Sequence, residues 1–145
     1  MPKRILITGA NRGVGLALVQ LLSDTAEHVY AGCRQPEFAE GLQQVARSTD
    51  NVSVLGLDVT DAESLKQASN DVVGGVDLLV CNAGVLNGYS GLRGSENALT
   101  PEAMDTFVDV LKTNIAGPLF TVQAFLPHLR LSDSAGIAII SSHMG

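Results

Sequence analysis

One stretch of the sequence decides the fold: Thr8-Gly9-Ala10-Asn11-Arg12-Gly13-Val14-Gly15. It joins a short apolar run typical of a buried strand, Arg4–Thr8, to a segment with helical periodicity, Gly13–Ser23. A glycine turn in this position lets the backbone approach a bound group closely, and the helix N-terminus that follows offers free N–H groups and the positive end of the helix dipole. The stretch therefore predicts a phosphate-binding turn, with an ordinary tight turn as the alternative.

Short apolar runs and longer periodic segments alternate along the rest of the chain. Further strands are predicted at His28–Cys33, Val52–Leu57, Val76–Cys81 and Ile137–Ser141. Further helices are predicted at Phe38–Arg47, from Thr60 to Val73 and from Thr100 onward, the last bending near Gly117-Pro118. Apolar strands separated by helices favour a parallel sheet that is covered on both faces. The predicted fold is α/β, a Rossmann-type doubly wound parallel sheet of five strands, with residues 1–145 forming one domain.

Two of the helix starts carry capping signals. Thr60-Asp61-Ala62-Glu63 has the capping-box pattern, which predicts Thr60 as the N-cap and Glu63 as the residue that reaches back to it. Thr100-Pro101 places a threonine N-cap before a proline at the first helical position.

Composition and charge exclude several classes of function. The 145 residues include 9 Lys+Arg and 15 Asp+Glu, and the net charge of −6 disfavours nucleic acid and anionic membranes as partners. No uncharged apolar run approaches the roughly 18 residues that a membrane-spanning helix needs, and the apolar run at the N-terminus stops at Ile7, too early for a secretory signal.

The two cysteines, Cys33 and Cys81, lie inside apolar runs rather than in a spaced framework. No cluster of His, Cys and Glu has the spacing of metal ligands. We therefore expect no disulfide scaffold, no metal site and a cytoplasmic location.

Five motifs, in order along the whole chain, resemble the short-chain dehydrogenase/reductase family. The Thr-Gly-x3-Gly-x-Gly spacing of residues 8–15 is that of its single-domain, carbonyl-reductase-like branch. The other matches are Asp58 after the third strand, Asn82-Ala83-Gly84 after the fourth, Asn114 in an Asn-x-x-Gly segment of the long helix, and Ser142 after the fifth strand. Cys81 departs from the pattern, because the family has asparagine there.

The resemblance implies roles for these positions. The implied cofactor-binding residues are Gly9, Asn11, Arg12, Gly13, Val14, Gly15, Arg34, Asp58, Val59, Asn82, Ala83 and Gly84. The implied catalytic residues are Asn114, which holds a water of a proton relay, and Ser142, which orients the substrate carbonyl. Structural alternatives remain: Asp58 as a turn acceptor, Asn82 as a strand-end residue, and Ser142 as a strand-end hydroxyl.

Charge at the end of the second strand bears on the choice of cofactor. A carboxylate there would bind the ribose diol and repel a 2′-phosphate. Cys33 takes that place, Arg34 follows it, and Arg12 lies in the glycine turn. Because arginine binds phosphate through bidentate, charge-assisted hydrogen bonds, these residues predict NADP(H) in preference to NAD(H).

The implied reaction is reduction of a ketone or aldehyde, or the reverse oxidation of an alcohol. In the family, a tyrosine gives the proton and a lysine four residues on lowers the pKa of that tyrosine. Neither tyrosine here fits, because Tyr30 is followed at the fourth place by Arg34 and Tyr89 by Arg93. We therefore expect these residues to be the N-terminal part of a longer NADPH-dependent enzyme, inactive on their own.

Two other functions remain open at this point. One is a non-catalytic, dinucleotide-binding or regulatory protein. The other is a methyltransferase with a similar glycine turn, against which Asn82-Ala83-Gly84 and Asn114 argue. The resemblance further implies a homodimer or homotetramer formed through the long helix.

Overall fold

A computed structural model describes residues 1–86 and 100–141. Its strands are β1 (Arg4–Thr8), β2 (His28–Cys33), β3 (Val52–Gly56), β4 (Leu78–Cys81) and β5 (Gly136–Ile139). Its helices are α1 (Gly13–Ser23), α2 (Glu40–Ser48), α3 (Ala62–Asp71), α4 (Pro101–Leu111) and α5 (Gly117–Leu129). A 3₁₀ turn (Pro36–Phe38) precedes α2, and a π-helical turn (Lys112–Ala116) joins α4 to α5.

The strands form one parallel sheet in the order β3-β2-β1-β4-β5. Ile5 of β1 pairs with Val29 of β2 on one side and with Leu78 of β4 on the other. The order therefore reverses at β1, and the crevice beside the carboxyl ends of β1 and β4 is where such sheets bind ligands. The predicted Rossmann-type parallel sheet is confirmed.

Two apolar layers cover the two faces of the sheet, because successive strand side chains point in opposite directions. Leu6 and Leu79 belong to one layer, into which Phe125 of α5 packs with no exposed surface. Ile7 belongs to the other layer, together with Val19 of α1 and Leu42 of α2. These layers fix the strand ends and the helix N-termini that surround the crevice.

At the amino ends of the strands, the carboxylate of Asp77, just before β4, binds the backbone at the start of β1. Its Oδ2 accepts hydrogen bonds from the backbone N–H groups of Lys3 and Arg4 at 3.0 and 2.9 Å, and its Oδ1 accepts one from the Ser132 hydroxyl at 2.5 Å. The Ser132 bond and the two backbone bonds lower the pKa of Asp77.

The capping prediction at Thr60 is wrong by one residue. Asp58 Oδ1 accepts from both the backbone N–H and the hydroxyl of Thr60, at 2.9 and 2.7 Å, so the Thr60 side chain is engaged away from the helix. The N-cap of α3 is Asp61, whose carboxylate accepts from the Glu63 N–H at 3.0 Å. The cap at Thr100 forms as predicted, with its hydroxyl accepting from the Ala103 N–H at 3.1 Å.

Other boundaries differ from the sequence pattern for local reasons. β4 begins at Leu78 rather than Val76, since the Val76 N–H bonds to the His128 carbonyl instead of a neighbouring strand. The predicted bend near Gly117-Pro118 takes the form of the π-helical turn, in which the Gly117 N–H bonds to the Lys112 carbonyl, five residues back.

Among the described residues, no helix is long and apolar enough to cross a bilayer.

Candidate functional site

A groove of about 720 Å³ runs across the carboxyl ends of β3, β2, β1 and β4. Three inter-strand intervals of about 4.8 Å give it a span of roughly 14 Å, which suits an elongated ligand. The predicted cofactor-binding residues that line it are Gly9, Asn11, Arg12, Gly13, Val14, Arg34, Asp58, Val59, Asn82, Ala83 and Gly84. Ser142 lies outside the described residues.

The glycine turn after β1 can form only with glycine at two of its positions. Gly9 and Gly13 have φ of +63° and +55°, in the left-handed region where a side chain is strained. Gly15 does not line the groove but is buried behind it, and a Cβ there would lie 2.2 Å from the Gly9 carbonyl oxygen. Gly15 therefore lets α1 begin directly against the turn.

A pair of polar side chains fastens this turn to the end of β4. The hydroxyl of Thr8, which is 1% exposed, accepts from the backbone N–H groups of Asn82 and Ala83 at 3.1 and 3.0 Å. The Asn82 amide donates to the carbonyls of Thr8 and Gly9 at 3.1 and 3.0 Å. Asn82 therefore acts as a strand-end residue that satisfies backbone carbonyls, which was the alternative given from the sequence, and the same hydrogen bonds shape the groove. Thr8 was not predicted, although a buried hydroxyl at a strand end requires partners.

The N-terminus of α1 opens into the groove. Arg12 is the N-cap residue, and no side chain among the described residues caps the helix there. The N–H groups of Gly13, Val14 and Gly15 precede the first helical bond, from Leu16 N–H to the Arg12 carbonyl. The first turn carries no acidic residue. This end of the helix can therefore receive an anion.

Arg12 and Arg34 are exposed and line the groove. Arg12 immediately precedes α1, and Arg34 immediately follows β2. Ion pairs within residues 1–86 and 100–141 join lysines to carboxylates, and none involves either arginine. Cys33, which precedes Arg34, is buried, and burial raises the pKa of its thiol. The Cys33 side chain is therefore an uncharged thiol at neutral pH and does not offset the positive charge of the two guanidinium groups.

Asn114 lies on the π-helical turn, next to the groove. Its Oδ1 accepts from the Val85 N–H and its Nδ2 donates to the Val85 carbonyl, both at 2.8 Å. Val85 itself lines the groove beyond Gly84. The side chain of Asn114 therefore ties the segment after β4 to the long helix.

A profile of the short chain dehydrogenase family matches residues 3–145. The chain belongs to this family. An uncharacterized oxidoreductase of Schizosaccharomyces pombe is 36% identical over 147 aligned residues, which cover 99% of this chain and 55% of the relative. Human 17-beta-hydroxysteroid dehydrogenase type 1 is 36% identical over 146 residues, covering 95% of this chain and 42% of the relative.

A solved structure within the short-chain dehydrogenase family has the same arrangement of strands and helices. The NADPH-bound carbonyl reductase from chicken fatty liver matches with a TM-score of 0.83 and 34% identity, covering 97% of this chain and 57% of that one. The chain spans about half the length of the curated relatives it matches. The family resemblance predicted from the motifs is confirmed.

The groove also contains residues that were given no cofactor-binding role from the sequence. They are Gln35, Phe38, Ala39, Leu57, Thr60, Val85 and Thr113. Most carry no distinctive chemical group, so only their position at the strand ends reveals them. Among the described residues, no three His, Cys, Asp or Glu side chains are grouped to hold a metal ion.

Proposed function

We propose that this protein is an NADP(H)-dependent short-chain dehydrogenase that reduces a carbonyl compound or oxidises the corresponding alcohol. The observation that carries the proposal is the N-terminus of α1, which no side chain of residues 1–86 and 100–141 caps, in a groove that also holds two arginines without an ion-pair partner in those ranges. When bound, the dinucleotide supplies the hydride. The residues of this chain bind it and position the substrate.

The phosphate-binding part of the groove fits the dinucleotide on steric grounds. At Gly13, an added Cβ would meet no atom of the described residues within 4 Å, so the space beside the turn is open. Among the N–H groups that lack partners within α1, those of Gly13 and Val14 belong to residues that line the groove and are suited to hold the diphosphate. Arg12 and Arg34 are proposed to hold the 2′-phosphate of NADP(H).

Asn114 is proposed to hold the water of a proton relay through its backbone carbonyl. In an uninterrupted α-helix, that carbonyl would accept from the N–H of residue 118. Residue 118 is proline, which has no N–H. The Asn114 side chain, bonded at both ends to Val85, holds the turn that presents this carbonyl. Asn114 therefore combines a positioning role with a water-binding one.

The substrate-binding and proton-donating groups complete the proposal. Ser142 is proposed to donate a hydrogen bond to the substrate carbonyl oxygen. Neither tyrosine of the 145 residues is followed at the fourth place by lysine, so we propose that this chain alone binds NADP(H) without turnover.

Self-association through the long helix is part of the same proposal. Met104 on α4, Ile115 on the π-helical turn and Leu119 on α5 are 67%, 65% and 64% exposed. Large exposed apolar side chains on these consecutive helical elements favour an interface. A homodimer or homotetramer would be visible as the mass measured by light scattering, and a monomer at all concentrations would contradict this part.

Equilibrium titration with NADPH and NADH tests the proposal, together with nicotinamide absorbance in the presence of a panel of ketones and aldehydes. We expect NADPH to bind about tenfold or more tightly than NADH, and no turnover by the 145 residues alone. Equal affinity for NADH would refute the cofactor assignment. Turnover by this chain would refute the proposal that the proton donor is the tyrosine of a Tyr-x3-Lys pair, a pair that the 145 residues do not contain.

A further inference from the structure

Phe38 is a largely exposed aromatic residue on the lining of the groove. It is the last residue of the 3₁₀ turn and one of the residues that line the groove, and it is 75% exposed. Single exposed apolar side chains are common on protein surfaces. Phe38 differs from them because it belongs to the lining of a concave site, where a ligand can cover its side chain.

The backbone that carries Phe38 is held in place. The Gln43 amide of α2 donates to the Pro36 carbonyl at 3.1 Å, and the Ala39 N–H donates to the same carbonyl at 3.2 Å. Ala39 is 5% exposed and packs in the core on the α1 and α2 side of the sheet. The ring therefore projects from a turn that is anchored on both sides, so little backbone ordering is needed when a ligand covers it.

Phe38 follows β2 and lies at the end of the groove beside β2 and β3, distinct from its phosphate-binding part. Leu57 and Val59, which follow β3, line the same end and are 3% and 6% exposed. The N-terminus of α1 lies across the sheet, beside the end of β1. A flat, apolar group linked to a phosphate therefore suits this end of the groove, where Phe38, Leu57 and Val59 supply apolar surface and Arg34 supplies positive charge.

We propose that Phe38 stacks on the purine base of the bound dinucleotide; this inference rests on the proposed function. Stacking on an aromatic side chain suits a base because every base has a π face. Arg34, which lines the same end of the groove, is the alternative stacking partner. The two are separated by substitution, since removing the ring leaves the guanidinium in place.

Calorimetric titration with adenosine 2′,5′-bisphosphate, a fragment that carries the base but no nicotinamide, tests this proposal. We expect Phe38→Ala to weaken binding of the fragment about tenfold and Phe38→Leu to weaken it less, because leucine keeps apolar contact without the π face. Phe120→Ala is the matched control, since Phe120 is also an exposed phenylalanine, 51% exposed, but lies outside this groove. It should leave the affinity unchanged.

A fluorescence experiment provides a second readout that a purely structural role would not affect. The chain contains no tryptophan, so Phe38→Trp introduces a single reporter. We expect its emission to be quenched by adenosine 2′,5′-bisphosphate and unaffected by inorganic phosphate, which has no π face to stack.

The outcomes separate this inference from the proposed function. Wild-type affinity for the fragment in Phe38→Ala, or an unquenched Phe38→Trp that still binds the fragment, would overturn the stacking role while leaving NADP(H) binding intact. A wild-type chain that binds neither NADPH nor the fragment would overturn both. Thermal unfolding of each variant establishes that it is folded.

Discussion

The side-chain amide of Asn114 makes two hydrogen bonds with the backbone of Val85, donating to its carbonyl and accepting from its N–H, each at 2.8 Å. It joins the wall of the groove to the π-helical turn between α4 and α5. π-Helical turns occur often at functional sites.

Replacing Asn114 by alanine should therefore affect both stability and ligand binding. Two lost hydrogen bonds, both at exposed positions, should lower the free energy of unfolding by about 1–2 kcal/mol. NADPH affinity should fall as well, because Val85 loses its fixed position in the groove. Urea unfolding and calorimetric titration measure the two effects. Asp105→Ala, on the exposed surface of α4, is the control and should change neither.

The two glycines at the start of α1 should fail in different ways when substituted. Gly15→Ala places a Cβ 2.2 Å from the Gly9 carbonyl oxygen and 2.6 Å from Asn82 Nδ2, so the turn must move and the protein should be strongly destabilised. Gly13→Ala meets open space and incurs only the strain of its positive φ, about 1–2 kcal/mol, while its methyl group enters the groove.

Thermal unfolding and NADPH titration of the two glycine variants check this difference. Gly13→Ala should remain folded and bind NADPH weakly, whereas Gly15→Ala should unfold at a markedly lower temperature. Equal stability of the two variants would contradict the close packing assigned to Gly15.

Arg12 and Arg34 should govern discrimination between the two cofactors. Arg34→Asp should weaken NADPH binding about tenfold or more and leave NADH binding unchanged or improved, because it replaces a phosphate ligand with a repelling charge. The dependence of NADPH affinity on salt should decrease in parallel. Arg47→Asp on α2 makes the same charge change outside the groove and serves as the control. An identical loss in both variants would indicate net charge rather than a specific contact.

Asp77 should make stability depend on pH in the acid range. Its pKa is lowered in the folded state by the hydrogen bond from Ser132 and those from the backbone of Arg4 and Lys3. A lowered pKa stabilises the fold above the ordinary carboxyl pKa of about 3.9, and this contribution is lost as pH falls through the folded-state value. Asp77→Asn should therefore be less stable than wild type at pH 7, with the difference shrinking below about pH 4.

Thermal unfolding between pH 7 and pH 3 measures the Asp77 effect. Asp133→Asn, an exposed aspartate in the turn after α5, is the charge-matched control. A difference between Asp77→Asn and wild type that stayed constant over this range would mean that the carboxylate charge does not contribute.

Repeating apolar runs made the fold class predictable, since they show strands and helices alternating along the chain without any knowledge of side-chain contacts, whereas the order of the strands in the sheet came from the structure. The capping error at Thr60 shows the limit of local patterns: Thr60 and Asp61 are both good N-caps, and the choice was made by Asp58, which engages both polar groups of Thr60. The bend at Gly117-Pro118 was predictable from proline, but its π-helical form was not indicated by the sequence pattern.

The groove was predictable where residues carry distinctive groups and not elsewhere. Glycines and arginines after β1 and β2 have a recognisable pattern, whereas Thr8 and Phe38 acquire their significance only from neighbours distant in sequence. Asp58 is an intermediate case, because it lines the groove and also accepts from Thr60. The cytoplasmic location and the oligomeric state remain predictions.

The most direct test of the central claim is a crystal structure of this chain with NADP⁺. The diphosphate should lie within hydrogen-bonding distance of the backbone N–H groups of Gly13 and Val14, with the 2′-phosphate beside Arg12 and Arg34. Density for the dinucleotide elsewhere, or an empty turn at saturating NADP⁺, would contradict the assignment of this groove.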